Sequence, residues 1–244
     1  MDTVTEIGPG KEPALCAACA VRNSSLCGAL SAEELHGLNI ISRRKTFERG
    51  QFHVLEGDDA LEFANVVRGV GKLVRGAPDG RAQIVGLLFP SDFIGSYASS
   101  GDGAQEPFSI EAASEMELCL FPRAQFQKLA QEFPGLESRL LARTLTELQV
   151  ARDWMVLLGR KTASEKVATF LLHVGQRVQN AGCHPTEGFD LPLSRSDIAD
   201  HTGLTVETVS RQIGHLRKAG VLEMEGTRHV RWMDHDALSD AAGF

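Results

Sequence analysis

The chain has 244 residues, 43% of them hydrophobic and 23% charged, enough to bury one large core or two ordinary ones. Its apolar runs are short and interrupted, and the opening MDTVTEIGPGKEP has neither a basic nor an apolar leader region, so the expectation is a cytoplasmic protein with no membrane span. A formal net charge of −7 argues against a protein coated in nucleic acid, but the charge is uneven: residues 1–159 carry a net −6 and residues 160–244 a net −1.

Five cysteines in a reducing compartment do not make a disulfide framework, and their odd number and close spacing point to metal or redox chemistry. Three of them, Cys16, Cys19 and Cys27, stand in CAACAVRNSSLC, one thiol short of the four that most structural zinc sites and iron-sulfur clusters use. Next, SAEELHGL reads as a short helix, with Ser31 as N-cap and Glu34 completing a capping box. From about Ile41 to Phe121 short runs follow, FANVVRGVGKLVRG, AQIVGLLF, FSIEAA and MELCLF, separated by Gly-, Asp- and Pro-bearing turns. That pattern predicts an antiparallel β-barrel or jelly roll.

A helical stretch runs from about Arg123 to Gly159 and is punctuated by Pro134. Beyond the proline, Leu141, Leu148 and Met155 recur every seven residues, and Thr144, Ala151 and Leu158 fall three residues after each. The stripe is an a/d seam for pairing with a second copy of the helix; packing of the same stripe on its own barrel is the alternative. A further helix, TASEKVATFLLHVGQRV, precedes a loop, a short strand LPL and the segment SRSDIADHTGLTVETVSRQIGHLRKAGVLEMEGTRHVRWM. In it Ser194 and Asp197 start one short helix, Gly203 turns the chain, and Thr205 caps a second helix. On that second helix Val209, Ile213 and Leu216 form the buried face, and Glu207, Ser210, Arg211 and Lys218 lie on the other side. Two strands around EGT complete a winged helix-turn-helix, whose second helix enters the major groove of double-stranded DNA. Arginine there can donate a bidentate pair to guanine, and glutamate can accept from the cytosine amino group. TVSRQIGHLRK has three basic residues and no acid, a local basic face suited to DNA.

GLTVETVSRQIGHLRKAGVL, preceded by a glycine-cornered barrel and a long helix, resembles the CRP/FNR superfamily of bacterial transcription regulators over essentially the whole chain. The Glu207, Ser210 and Arg211 pattern is similar to the FNR type, which the resemblance implies reads TTGAT half-sites in an inverted repeat. The implied fold is α+β: a cysteine-rich segment over residues 1–30, a β-roll sensor domain over 31–122, a dimerisation helix over 123–160 with Leu141, Leu148, Ala151, Met155 and Leu158 at the interface, and a DNA-binding domain over 161–244. The resemblance further implies a homodimer, contact with RNA polymerase through barrel loops such as the turn at Asp79 and Gly80, and a [4Fe-4S] cluster held by Cys16, Cys19, Cys27 and, inside the barrel, Cys119. By the same resemblance, oxygen would convert the cluster to a smaller [2Fe-2S] form, rearrange its ligands, weaken the dimer and release DNA. The C-x2-C-x7-C spacing resembles the variant of alphaproteobacterial members, and Leu26 matches a position where an apolar side chain shields the cluster; an exposed loop leucine is the alternative. Where family members often carry an acid, this seam has Ala151, which favours a dimer that persists in air.

Residues 96–115, where cyclic-nucleotide-binding members carry an arginine that clamps the phosphate, contain no Arg or Lys and four acids, so no cyclic nucleotide is expected. No nucleophile–base set, P-loop or dinucleotide fingerprint is present, so the chain is not expected to be an enzyme. For Cys119 an inert buried thiol remains open. A structural zinc on the same thiolates and a thiol–disulfide switch of Cys16 and Cys19 are the alternatives to a cluster. Cys183 reads as a free thiol, and His201, His215 and His229 as residues of the DNA-binding domain that are exposed on the surface, with contact to a DNA phosphate as the alternative.

Overall fold

The computed structural model describes residues 14–76, 80, 82–95, 103–180 and 188–243. Its packing divides the chain into a first unit, Met1–Val70 with Pro90–Leu148, and a second, Gly71–Phe89 with Gln149–Phe244. Helix α1 (Ala14–Ala17) is followed by a 3-10 turn (Leu26–Ala29) and α2 (Ala32–Ile41). The start of α2 is set by side-chain chemistry: Ser31 accepts the Glu34 N–H at 3.2 Å, and Glu34 accepts the Ser31 N–H at 2.7 Å. Eight strands come next, β1 (Arg43–Phe47), β2 (Phe52–Val54), β3 (Glu62–Arg68), β4 (Gly71–Gly76), β5 (Ala82–Leu88), β6 (Phe93–Ile94), β7 (Ser109–Ala112) and β8 (Met116–Pro122).

In the first unit β1, β8, β3 and β6 form an antiparallel sheet in that order, and β2 pairs with β7. The register places Cys119 of β8 opposite Arg44 on one side and Asn65 on the other. Helix α3 (Arg123–Glu132) stops before Pro134, which opens α4 (Pro134–Arg160) at the position where its missing N–H costs nothing. Leu26, Leu30, Leu35, Leu38, Phe63, Phe121, Phe126, Leu136 and Leu140 make one core, and Cys16, Cys27 and Cys119 pack against it. Phe126 sits at its centre, 4.9 Å from Phe63 and 5.5 Å from both Phe93 and Phe121 between ring centroids. Each such buried side chain contributes about 1.5–3 kcal/mol. Leu26 is therefore a core residue, 1% exposed, and no exposed loop leucine.

The second unit holds the β4–β5 hairpin, the remainder of α4, α5 (Ala163–Asn180), β9 (Phe189–Asp190), α6 (Arg195–Thr202), α7 (Val206–Lys218), β10 (Leu222–Glu225), β11 (His229–Trp232) and α8 (His235–Ala242). The sheet order is β10-β11-β9. The strand expected at LPL lies one step earlier, at Phe189–Asp190, because Pro192 has no N–H for the ladder. The hairpin docks on α6: Lys72 Nζ donates to Asp197 at 2.8 Å, and Gln83 donates to the carbonyl of Asp200. His201 Nδ1–H donates to the Ile84 carbonyl at 2.9 Å while its ring stacks on Trp154, 4.2 Å between centroids. His201 is 3% exposed, which corrects its expected place on the surface. No helix among the described residues is long and apolar enough to cross a membrane.

Candidate functional site

Cys16, Cys19, Cys27 and Cys119 line one recess of about 310 Å³, counted with its open mouth, together with Val21, Arg22, Ser25, Arg44, Asn65 and Val67. The seven residues between Cys19 and Cys27 are a succession of turns: the Arg22 N–H reaches the Cys19 carbonyl at 3.1 Å, the Ser25 N–H reaches Val21 at 2.9 Å, and Ser25 Oγ accepts the Cys27 N–H at 3.3 Å. Gly28 permits this tight return, since a Cβ there would collide with the Asn23 carbonyl oxygen. All four cysteines are free.

Burial first, and then the charges of the neighbouring thiols, push the Cys16 thiol up to about 11. Burial pushes Cys119 up to about 12 against the pull of Arg44, and raises Cys27 as well. At neutral pH these are protonated thiols, and binding a metal would release their protons. Among the described residues no three His, Cys, Asp or Glu side chains gather as a ready single-ion site; the thiols stand around the recess and do not converge on one point. The donor set fits a thiolate-bound polynuclear group: four soft sulfurs, two guanidinium groups at the wall, and a buried amide.

Arg44 and Asn65 were not singled out in sequence. Arg44 lines the recess with Cys19, stands opposite Cys119 in the β1–β8 pairing and pairs with Glu117 at 2.9 Å. Asn65, 2% exposed, directs Nδ2 toward Cys27 Sγ at 4.0 Å, and its buried Oδ1 has no hydrogen-bond partner. The signal available was one amide inside the apolar run of β3, where a buried polar group calls for a partner. Leu26 belongs to the core against which Cys16, Cys27 and Cys119 pack.

The helix-turn-helix forms as its caps predict. Ser194 and Asp197 make a capping box at the start of α6, and Gly203, φ 66°, ends that helix in the left-handed conformation. Thr205 accepts the Thr208 N–H at 3.2 Å and starts α7. Val209, Ile213 and Leu216 are buried, and Glu207, Ser210 and Arg211 are exposed together on the opposite side. Hydrogen bonds from its own backbone N–H and from Thr205 hold the Glu207 carboxyl below its usual range, so it stands as an anionic acceptor near Arg211 in sequence. Arg195, at the first position of α6, keeps a buried guanidinium nitrogen unpaired, and burial with the nearby Arg217 depresses its pKa. His215 is exposed, and His229 bonds Asp190 at 2.9 Å.

On α4, Leu136, Leu140 and Leu157 are buried, whereas Leu141, Leu148, Met155 and Leu158 are 61%, 44%, 70% and 37% exposed and Ala151 is exposed too. Among the described residues the stripe is left exposed. Cys183 and Asp79 lie outside the described residues, as do residues 96–102 of the stretch expected to lack a phosphate clamp. Within the rest of that stretch Glu106 is buried, which raises its carboxyl pKa.

A profile of the Crp-like helix-turn-helix domain matches residues 165–241, and one of the cyclic nucleotide-binding domain matches residues 44–133. A probable transcriptional activator from Rhizobium leguminosarum bv. viciae is 43% identical over 226 residues, 93% of this chain and 92% of its own. The chain belongs to the Crp/Fnr family. The transcriptional activator protein FnrL of Cereibacter sphaeroides is similar to this Crp/Fnr regulator at 40% identity, over 93% of this chain and 92% of FnrL. Among solved structures FixK2 from Bradyrhizobium japonicum superposes with a TM-score of 0.73 at 31% identity, covering 82% of this chain and 97% of FixK2. The Crp-like arrangement of an N-terminal β-sandwich, a long helix and a C-terminal helix-turn-helix is thus the one anticipated from the sequence.

Proposed function

We propose that this Crp/Fnr regulator is an oxygen-responsive transcriptional activator that holds a [4Fe-4S] cluster on Cys16, Cys19, Cys27 and Cys119 and reads TTGAT-type inverted repeats as a homodimer. The observation that carries the reading is the meeting of the three N-terminal thiols with Cys119 on one recess, across the 91 residues that separate Cys27 from Cys119. When bound, such a cluster supplies an oxygen-labile centre whose stability depends on its sulfur ligands and their hydrogen bonds. Arg22 and Arg44 offset the anionic charge of four thiolates, Asn65 offers N–H to Cys27, and Val21 and Val67 supply the apolar part of the lining.

The exposed apolar stripe of α4 receives the same stripe of a second copy, and two copies of α7 then address two half-sites. Glu207 and Arg211 read base edges, and Ser210 lies between them on the exposed face. Similarity to proteins described as transcriptional activators supports activation through RNA polymerase. The absence of any Arg or Lys over residues 96–115 supports control without a cyclic nucleotide.

The test is anaerobic isolation followed by visible absorption, iron and sulfide analysis and DNA binding before and after air. The expected protein is brown, with about four irons per chain, and loses affinity for a TTGAT inverted repeat as its colour fades. Cys119→Ala is expected to prevent loading. Colourless protein containing zinc would favour a structural metal, and regulation that survives iron chelation would favour a thiol switch.

A further inference from the structure

Arg143 joins three parts of the first unit that are distant in sequence. It lies on α4 three residues after Leu140 and seven after Leu136, on the face those buried leucines share. Its Nη2 donates to the carbonyl of Ser24 and, at 2.9 Å, to the carbonyl of Ser91, and its Nη1 faces Asp92 Oδ1 at 3.8 Å. The Arg143 and Asp92 side chains are 23% and 14% exposed, so the contact is largely shielded from water. Ser24 belongs to the turns between Cys19 and Cys27, next to Ser25, whose hydroxyl holds the Cys27 N–H. Ser24 and Ser91 also touch through their hydroxyls at 2.5 Å.

Ser91 is the one non-glycine residue at positive φ, 80°, among the described residues, a conformation retained only where the surroundings fix it. The turn it occupies is pinned to β3, where the Ser91 N–H reaches the Val66 carbonyl and the Val66 N–H reaches the Asp92 carbonyl, both at 2.9 Å. Val66 follows Asn65, which lines the recess. A single guanidinium therefore touches the cysteine turns and a strained turn anchored beside the recess, from a helix whose other side carries the exposed Leu141 and Leu148.

We infer that Arg143 is a positioning residue that couples the state of the cysteine recess to the pairing surface of α4. The inference rests on the proposed cluster function and adds the route by which the recess acts. Rearrangement of the turns around Cys19 and Cys27 displaces the Ser24 carbonyl, and Arg143, held by two carbonyls and the charge of Asp92, carries that displacement into α4. A planar fork suits this task; an ammonium cannot span the same acceptors. The coupling is between two states and is measured as a ratio of affinities, whatever the stability of either state.

The test uses the full chain, anaerobically loaded and air-exposed, as wild type, Arg143→Met and Arg143→Lys. Iron and sulfide content, the dimer dissociation constant by sedimentation velocity and hydrogen exchange of α4 are measured in both states. Expected are equal loading in all three proteins, a dimer constant that differs between states at least about tenfold in wild type, and a ratio close to one in Arg143→Met, with Arg143→Lys intermediate. Exchange in the first half of α4 should respond to loading in wild type and not in Arg143→Met. Equal ratios and equal exchange responses in wild type and both variants would overturn the coupling while leaving the cluster reading intact. Wild-type protein that takes up no iron and sulfide would overturn the cluster reading and the inference with it. If Arg143→Met does not fold, Arg143→Lys decides: an undiminished ratio there counts against the role.

Discussion

His201 is stacked between hydrophobic surroundings with one ring nitrogen committed to the Ile84 carbonyl, and burial, aided by the nearby His173, lowers its pKa to about 4. The folded residue is neutral where an unfolded histidine, at about 6.5, already binds a proton. The unfolded state therefore takes up more protons between these values, and stability is complete above pH 6.5 and lost as pH falls toward 4, by about 3 kcal/mol at the lower end. His201→Gln should be less stable at neutral pH but should lose less on acidification than wild type, measured as urea midpoints across that range. The sequence could not place this residue, because what buries it is a carbonyl 117 positions away and a tryptophan on another helix. Asn65 was hidden for the same reason: its meaning lies in the strand register that sets it opposite Cys119.

At the level of elements, caps and turns were the legible part. Ser31 with Glu34, Ser194 with Asp197, Thr205 and Gly203 all act within a few residues of themselves, so their patterns are complete in the sequence. The strands β1, β2 and β6 were less legible: RRKTF is charged and mostly exposed, and β2 and β6 have three and two residues, so none of the three shows a full alternation. The contacts of the β4–β5 hairpin were not legible at all. It lies within the 31–122 stretch yet groups with the DNA-binding unit, where Lys72 and Asp197 pair with only 9% and 16% of their side chains exposed. Burial opposes the charge of Asp197, but the bonds from Lys72 and Ser194 outweigh it and hold the carboxyl below its usual range. Lys72→Met should leave that charge buried without its cation and cost the unit about 3 kcal/mol. Both tryptophans, Trp154 and Trp232, lie in this unit, so fluorescence during urea unfolding reports it directly. Lys72→Met combined with Asp197→Asn should recover part of the loss.

For the molecule as a whole, the exposed leucines of α4 carry the weight. The heptad spacing and its reading as a pairing seam were visible from the sequence, which left packing of the stripe on its own barrel open; Leu140 and Leu157, lying outside the stripe, take the buried positions instead. Leu148→Glu places a charge in the centre of the seam. It should give a monomer by sedimentation and lower affinity for an inverted repeat by about a hundredfold or more, while binding to a single half-site stays unchanged. An equal loss on both kinds of site would point to damage in the helix-turn-helix instead.

The recess has one more consequence, and it concerns time. Its wall is completed by Cys119 on a strand whose two neighbours, β1 and β3, were made long before it. During synthesis the first three thiols leave the ribosome some 90 residues ahead of the fourth. Until β8 has slotted between those strands, the early thiols have no enclosure and no fourth partner, and they are open to oxidation or to adventitious metals. On the proposed cluster reading, occupancy of the recess would report a finished barrel, because loading would have to wait on the long-range pairing of β8 with β1 and β3.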